Sequence, residues 1–186
     1  MNEYNLITFL KLFLNDPYKE FYLREAAKKT KLSVFAAKKY ADLLVKEGLL
    51  FEERKANLRY FKANLGKSSV RIIKSAFIIN EIEKSGVLEY IKENISGISS
   101  VMVFGSSAKG EDSLESDIDI LIIGKKSTID LSDFEKKLGR RINEHIFSWS
   151  EWNKQSKDNK AFYLDVLMYG ISLYGEKPIV NGNKNS

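Results

Sequence analysis

At 186 residues, with 44% apolar and 12% aromatic side chains, the chain is long enough for one ordinary domain or two small ones with real cores. Cysteine is absent, which excludes disulfides, thiolate metal sites and a cysteine nucleophile. The net charge of +5 is unevenly spread: residues 1–66 hold 13 Lys/Arg against 8 Asp/Glu, whereas residues 67–186 hold 17 of each. A basic surface suited to a polyanion is therefore expected in the first third alone.

No apolar run approaches the ~18 residues that a membrane span needs. The opening MNEYNLITFLKLFLNDPYKE has neither a basic leader region nor a small-residue cleavage site. A cytoplasmic protein without a membrane partner is expected.

Residues 3–14 place Leu6, Phe9, Leu10 and Phe13 at the spacing of an amphipathic helix, which Asn15-Asp16-Pro17 ends. Tyr22 to Thr30 reads as a second short helix. Ser33 suits an N-cap for a third, which runs to Glu47 and stops at Gly48. Leu49 to Glu53 and Leu58 to Ala63 are strand-like runs joined through Lys55-Ala56-Asn57, a hairpin. Three helices and a hairpin make a winged helix-turn-helix. The order "LREAAKKTKLSVFAAKKYADLLVKEGLLFEERKANLRYFKAN" resembles winged helix domains of prokaryotic regulators, with Ala37, Ala41 and Leu44 on the inward face of the third helix and Tyr60 in the second wing strand.

In such domains the third helix enters the major groove of double-stranded DNA and the wing touches the backbone. The resemblance carries Val34, Phe35, Lys38, Lys39 and Asp42 to bases or phosphates, and Arg54, Lys55 and Arg59 to the wing contact. The alternative is that Lys38 and Lys39 are merely the solvated face of a packed helix, and Glu52 and Glu53 weigh against a strongly cationic wing; DNA binding is favoured because the charge excess and the motif fall in the same third.

From Lys67 to about Glu83 a further helix is expected, with Ile72, Ile73, Ala76, Phe77, Ile79 and Ile82 giving a wide apolar face. Ser85-Gly86 interrupts it and Val87 to Asn94 resumes it. Such a face either packs on a second domain or pairs with another chain. A homodimer is one expectation, because helix-turn-helix proteins use two-fold symmetry to match half-sites.

The chemistry lies in "VFGSSAKGEDSLESDIDI", Val103 to Ile120. Ser100 to Phe104 is a strand, and Gly105-Ser106 opens a turn whose backbone and hydroxyl are suited to phosphate oxygens. Residues 107–116 carry the chain round to a second strand holding Asp117 and Asp119. On a strand, i and i+2 share a face, so both carboxylates project together while Ile118, Ile120 and Ile122 pack behind. Paired carboxylates repel unless cations neutralise them, and hard oxygen ligands suit Mg²⁺ or Mn²⁺.

The segment "FGSSAKGEDSLESDIDILII" resembles the nucleotidyltransferase superfamily that includes DNA polymerase β, especially its minimal prokaryotic branch, whose hallmark is a strand, Gly-Ser, a loop and Asp-hydrophobic-Asp. The resemblance implies transfer of a nucleoside monophosphate from a triphosphate to an acceptor hydroxyl with release of pyrophosphate, using two metal ions held by Asp117 and Asp119. It carries Gly105, Ser106, Lys109 and Ser116 to nucleotide binding. Relatives in that branch often act as antitoxins, so a partner toxin protein is a further implication.

A third carboxylate is expected on a later strand, Ile142 to Ser148, where Glu144 is favoured over its neighbour Asn143. Alternation puts Ile142, Glu144 and Ile146 on one face and Asn143, His145 and Phe147 on the other. With Glu144 toward the metals the triad is complete; with Asn143 there a charge is missing. His145, the sole histidine, is expected to be structural. Arg140 and Arg141 either meet triphosphate charge or end a solvated helix. Trp149, Trp152, Phe162 and Tyr163 could stack on a base but are expected to complete a core.

The expected architecture is α+β, an N-terminal winged helix-turn-helix followed by a nucleotidyltransferase fold with a small mixed sheet flanked by helices. Its parts are a winged helix over 1–66, a helical connector over 67–95, the transferase domain over 96–178 and a disordered tail over 179–186. The alternative function is a DNA-binding regulator or antitoxin whose transferase domain senses nucleotide or has lost catalysis.

Overall fold

The structure is a computed structural model and describes residues 3–180. It is a mixed α+β chain that divides into two compact units, 1–77 and 78–186.

The first unit begins with α1 (Glu3–Asn15), β1 (Phe21–Tyr22), α2 (Leu23–Lys29) and α3 (Val34–Lys46), followed by β2 (Leu50–Lys55) and β3 (Leu58–Ala63). The Ser33 hydroxyl accepts the Ala36 N–H at 3.1 Å, capping α3, and Gly48 takes the left-handed φ of +69° that lets the chain leave the helix. β3 pairs antiparallel with both β2 and β1, giving a three-stranded sheet in the order β1-β3-β2. The two-residue strand β1 is too short to announce itself by periodicity and was not anticipated. Phe9, Phe13, Phe21, Tyr40, Leu44 and Phe61 fill the core, with Phe13 packed edge-on against Phe9 at 5.3 Å and Phe21 at 5.5 Å.

α4 (Ser68–Ser85) runs across the division between the units. Its Val70, Ile73 and Phe77 belong to the first core, and its Ile78 and Ile82 to the second. Ile72, counted in the apolar face by spacing, is exposed.

The second unit continues with α5 (Val87–Asn94), β4 (Ser100–Phe104), α6 (Gly105–Lys109), β5 (Ile118–Ile123), α7 (Ser132–Leu138), β6 (Ile142–Phe147), α8 (Trp149–Asp158), α9 (Lys160–Tyr169) and β7 (Ile171–Gly175). The sheet order is β6-β5-β4-β7, with β5 and β6 parallel and the other pairings antiparallel. Both faces are covered, which is why β5 reads as a nearly unbroken apolar run. Val101, Val103, Ile118, Ile120, Ile122 and Ile142 pack with Ile82, Val87, Ile91 and Leu131 on one face. Met102, Phe104, Leu121 and Ile123 pack with Trp152, Tyr163 and Val166 on the other. Trp152 is fully buried, its Nε1–H donating to the Pro178 carbonyl at 2.7 Å.

Where a loop was expected after Gly105-Ser106, the small residues Ser106-Ser107-Ala108 allow one short helical turn, which Gly110 ends at φ +67°. Of the tail expected to be disordered, Val180 donates its N–H to the Tyr163 hydroxyl at 2.8 Å and packs beside it. Residues 181–186 lie outside the described residues. No helix among the described residues is long and apolar enough to cross a membrane.

Candidate active site

Gly105 and Asp119 are pressed together at the end of the β4–β5 ladder, where Phe104 pairs with Asp119. Gly105 holds φ at +69°, and a Cβ placed on it would lie 2.4 Å from Asp119 Oδ2. Only glycine permits both the backbone conformation and the close approach. Asp117 precedes the first residue of β5, two positions before Asp119 and exposed. The Ser106 hydroxyl makes no hydrogen bond among the described residues and is half-buried beside this corner.

The third position differs from the one favoured. Parallel pairing of β5 with β6 sets Asp119 beside Asn143 and Ile120 beside Glu144. Paired residues in a sheet share a face. Asn143 Nδ2 accordingly donates to Asp119 Oδ1 at 3.0 Å, whereas Glu144 is exposed on the opposite face, the one that Ile120 occupies. Glu144 is therefore corrected as a site residue: a shift of one residue in register would have been needed to turn it toward the aspartates. Among the described residues no three carboxylates or histidines are grouped as a metal cluster.

Two other motif residues are engaged elsewhere. Lys109 Nζ pairs with Asp165 Oδ1 on α9 at 2.5 Å and lies 4.9 Å from the centre of the Tyr169 ring. Ser116 Oγ accepts the Ser113 N–H at 2.9 Å, closing the turn ahead of Asp117. His145 shares the face of Asn143 but sits between the rings of Phe104 and Phe162, at 5.2 and 5.7 Å, and so completes a packed aromatic cluster. Trp152 and Tyr163 are core residues, while Trp149 is exposed.

Arg140 does not end a solvated helix. Its guanidinium is buried and pairs with buried Asp112 at 2.7 Å. It also donates to the Ser116 carbonyl at 2.8 Å. Nothing in the spacing of Asp112 and Arg140 signals this pairing. Removing one partner of a buried pair strands the other charge, so Arg140→Met is expected to cost about 3–5 kcal/mol, read as a lowered denaturant midpoint.

On the first unit, Val34, Phe35, Lys38 and Lys39 come together on the exposed side of α3, and Phe35 is 81% exposed. The cations of β2 and β3 are less free. Arg59 donates to Glu52 at 2.7 Å and to Asp42 at 2.6 Å, and those contacts raise its pKa further while holding Glu52 below the usual carboxylate range. Lys55 pairs with Glu20 and lies 3.5 Å from Glu53. Arg54 is 78% exposed, with its Nε 3.6 Å from Glu52.

The Asp119 carboxylate against the Gly105-Ser106 corner offers a hard oxygen ligand beside groups suited to phosphate oxygens. The family model of the nucleotidyltransferase domain matches residues 84–162, a span that includes Gly105, Ser106, both aspartates and Asn143. That match supports a nucleotidyltransferase. No curated protein matches the chain. A solved crystal structure of a toxin-antitoxin with AMP-PNP is similar at 16% identity and a TM-score of 0.37, over 53% of this chain and 74% of that one.

Proposed function

We propose that the second unit is a metal-dependent nucleotidyltransferase that moves a nucleoside monophosphate from a triphosphate to an acceptor hydroxyl. The observation that carries this reading is the contact of Gly105 with the Asp119 carboxylate, inside the segment that matches the family. Asp117 and Asp119 offer hard oxygen ligands and would hold Mg²⁺ or Mn²⁺, and the Ser106 hydroxyl with the Gly105 backbone would hold phosphate oxygens. When bound, the metal supplies positive charge that offsets the phosphates and the departing pyrophosphate. The acceptor oxygen forms its bond to the α-phosphorus as the bond to pyrophosphate breaks, and the hydroxyl proton is released. Asn143 is neutral and cannot take that proton, so the proton would pass to solvent or to a carboxylate of the chain.

The deciding experiment is a calorimetric titration of ATP, then the other triphosphates, into the protein with Mg²⁺ and again with a chelator. Binding that needs Mg²⁺ supports the reading; no binding with Mg²⁺ or Mn²⁺ overturns it. Asn143 favours the second reading, a regulator whose transferase domain senses nucleotide. In that case triphosphate binds but labelled nucleotide never becomes covalently attached to any acceptor. Restoring the missing charge should be visible directly: Asn143→Asp is expected to tighten Mn²⁺ binding by roughly tenfold, since affinity follows the number of charged ligands. The same variant should melt lower without metal, because three carboxylates then face one another.

For the first unit we propose a winged helix that binds double-stranded DNA through Val34, Phe35, Lys38 and Lys39, with Arg54 on the wing. The charge excess of residues 1–66 and the exposed side of α3 support it. Arg59 and Lys55 would have to leave their acidic partners to join in. Fluorescence anisotropy with duplex DNA should show affinity that falls with salt, and replacing Lys38 and Lys39 by glutamate should reduce that salt slope by about two. A slope unchanged by the substitutions would remove α3 from the interface.

A further inference from the structure

Between α6 and β5 the chain runs through Gly110 to Asp117 without helix or strand, and this segment separates the two halves of the site. Ser106 and Ser107 stand at its start and Asp117 at its end. Its own contacts close the turn from Ser113 to Ser116, where Ser116 Oγ accepts the Ser113 N–H at 2.9 Å, and no helix or strand fixes Asp117 itself. Ile118 is the first residue held by the sheet region, donating its N–H to the Arg141 carbonyl at 2.8 Å. Asp117 lies outside that ladder.

One side chain from outside the segment grips both of its ends. Arg140 Nη2 donates to Ser107 Oγ at 3.2 Å and to the Asp117 carbonyl at 3.2 Å. Its Nε donates to the Ser116 carbonyl at 2.8 Å, and its Nη1 to Asp112 Oδ2 at 2.7 Å. Four acceptors in the connection and α6 thus converge on one planar fork. The Arg140 and Asp112 side chains are 9% and 1% exposed, so water does not compete for the pair. The geometry points to Arg140 as a positioning residue for metal and nucleotide binding: by holding the backbone of Asp117 and the start of α6 in one frame, it aims the Asp117 carboxylate and the Ser106 corner at the same ligand. This rests on the transferase reading above. A lysine could keep the charge beside Asp112 but not the directed fork that meets carbonyls on two sides.

The test separates holding the fold from aiming the site. Arg140→Lys retains the charge, and the double variant Asp112→Asn with Arg140→Met removes both charges so that neither is stranded. Each variant is compared with the wild-type protein by melting temperature, by amide hydrogen exchange and by calorimetric titration of ATP with Mg²⁺. Exchange is expected to rise at least tenfold in residues 110–117 while β4 and β7 keep their protection. Mg²⁺-dependent ATP affinity is expected to fall at least tenfold in both variants even where the melting temperature stays near that of the wild type. Faster exchange with unchanged ATP affinity would make Arg140 a structural residue only and overturn the inference. Unchanged exchange would do the same. A wild-type protein that binds no triphosphate would instead overturn the transferase reading, and this inference with it.

Discussion

Asp119→Asn is expected to weaken Mg²⁺-dependent ATP binding by at least about a hundredfold while leaving the fold intact. Losing a group behind a metal ligand costs up to about that much, and Asp119 is proposed as the ligand itself. The substitution changes one oxygen to an amide of nearly the same size, so the packing over Gly105 is preserved. It also removes one of two neighbouring negative charges, so the melting temperature without metal should hold or rise. Calorimetry with Mg²⁺, beside a melting curve without it, reads both effects. Full affinity in this variant would mean that the aspartate pair does not hold the metal.

Gly105→Ala is expected to abolish the same binding by a different route. The φ of +69° costs an L side chain about 1–2 kcal/mol. The added methyl then meets Asp119 Oδ2 at 2.4 Å and Cγ at 3.4 Å. The Asp119 side chain is short, so it can escape only by turning away, which gives up the hydrogen bond from Asn143. The backbone cost lowers the melting temperature by a few degrees; the displaced carboxylate removes the site. Gly86→Ala separates the two effects, because Gly86 has φ +83° and open space where its Cβ would go. That variant should show a comparable loss of stability with ATP binding intact.

Much of the local structure was legible in the order of residues. The Ser33 cap, the hairpin of β2 and β3, the break at Gly86 and the Gly-Ser corner followed by two aspartates depend on neighbours within a few positions. Such signals survive folding because capping, turn geometry and alternation are short-range effects. Pairings across long separations left no such trace. Lys109 meets Asp165, Arg59 meets Asp42 and Glu52, and Arg140 meets Asp112, each by approach of elements distant in the chain. Charged residues at those positions would look the same on a solvated surface.

The division is clearest around Asp119. From the sequence alone came the α+β class, a strand that carries Asp119, and the split of β6 into faces bearing either Glu144 or Asn143; Asp117, expected on the same strand, instead ends the connection before it. Which of those faces turns toward the aspartates was decided only by the parallel register of β5 and β6, which sets Asn143 against Asp119. Alternation along a strand follows from backbone geometry and is contained in the residue order. Its phase relative to a neighbouring strand follows from how the two apolar faces are buried, and a slip of one residue would have reversed the answer.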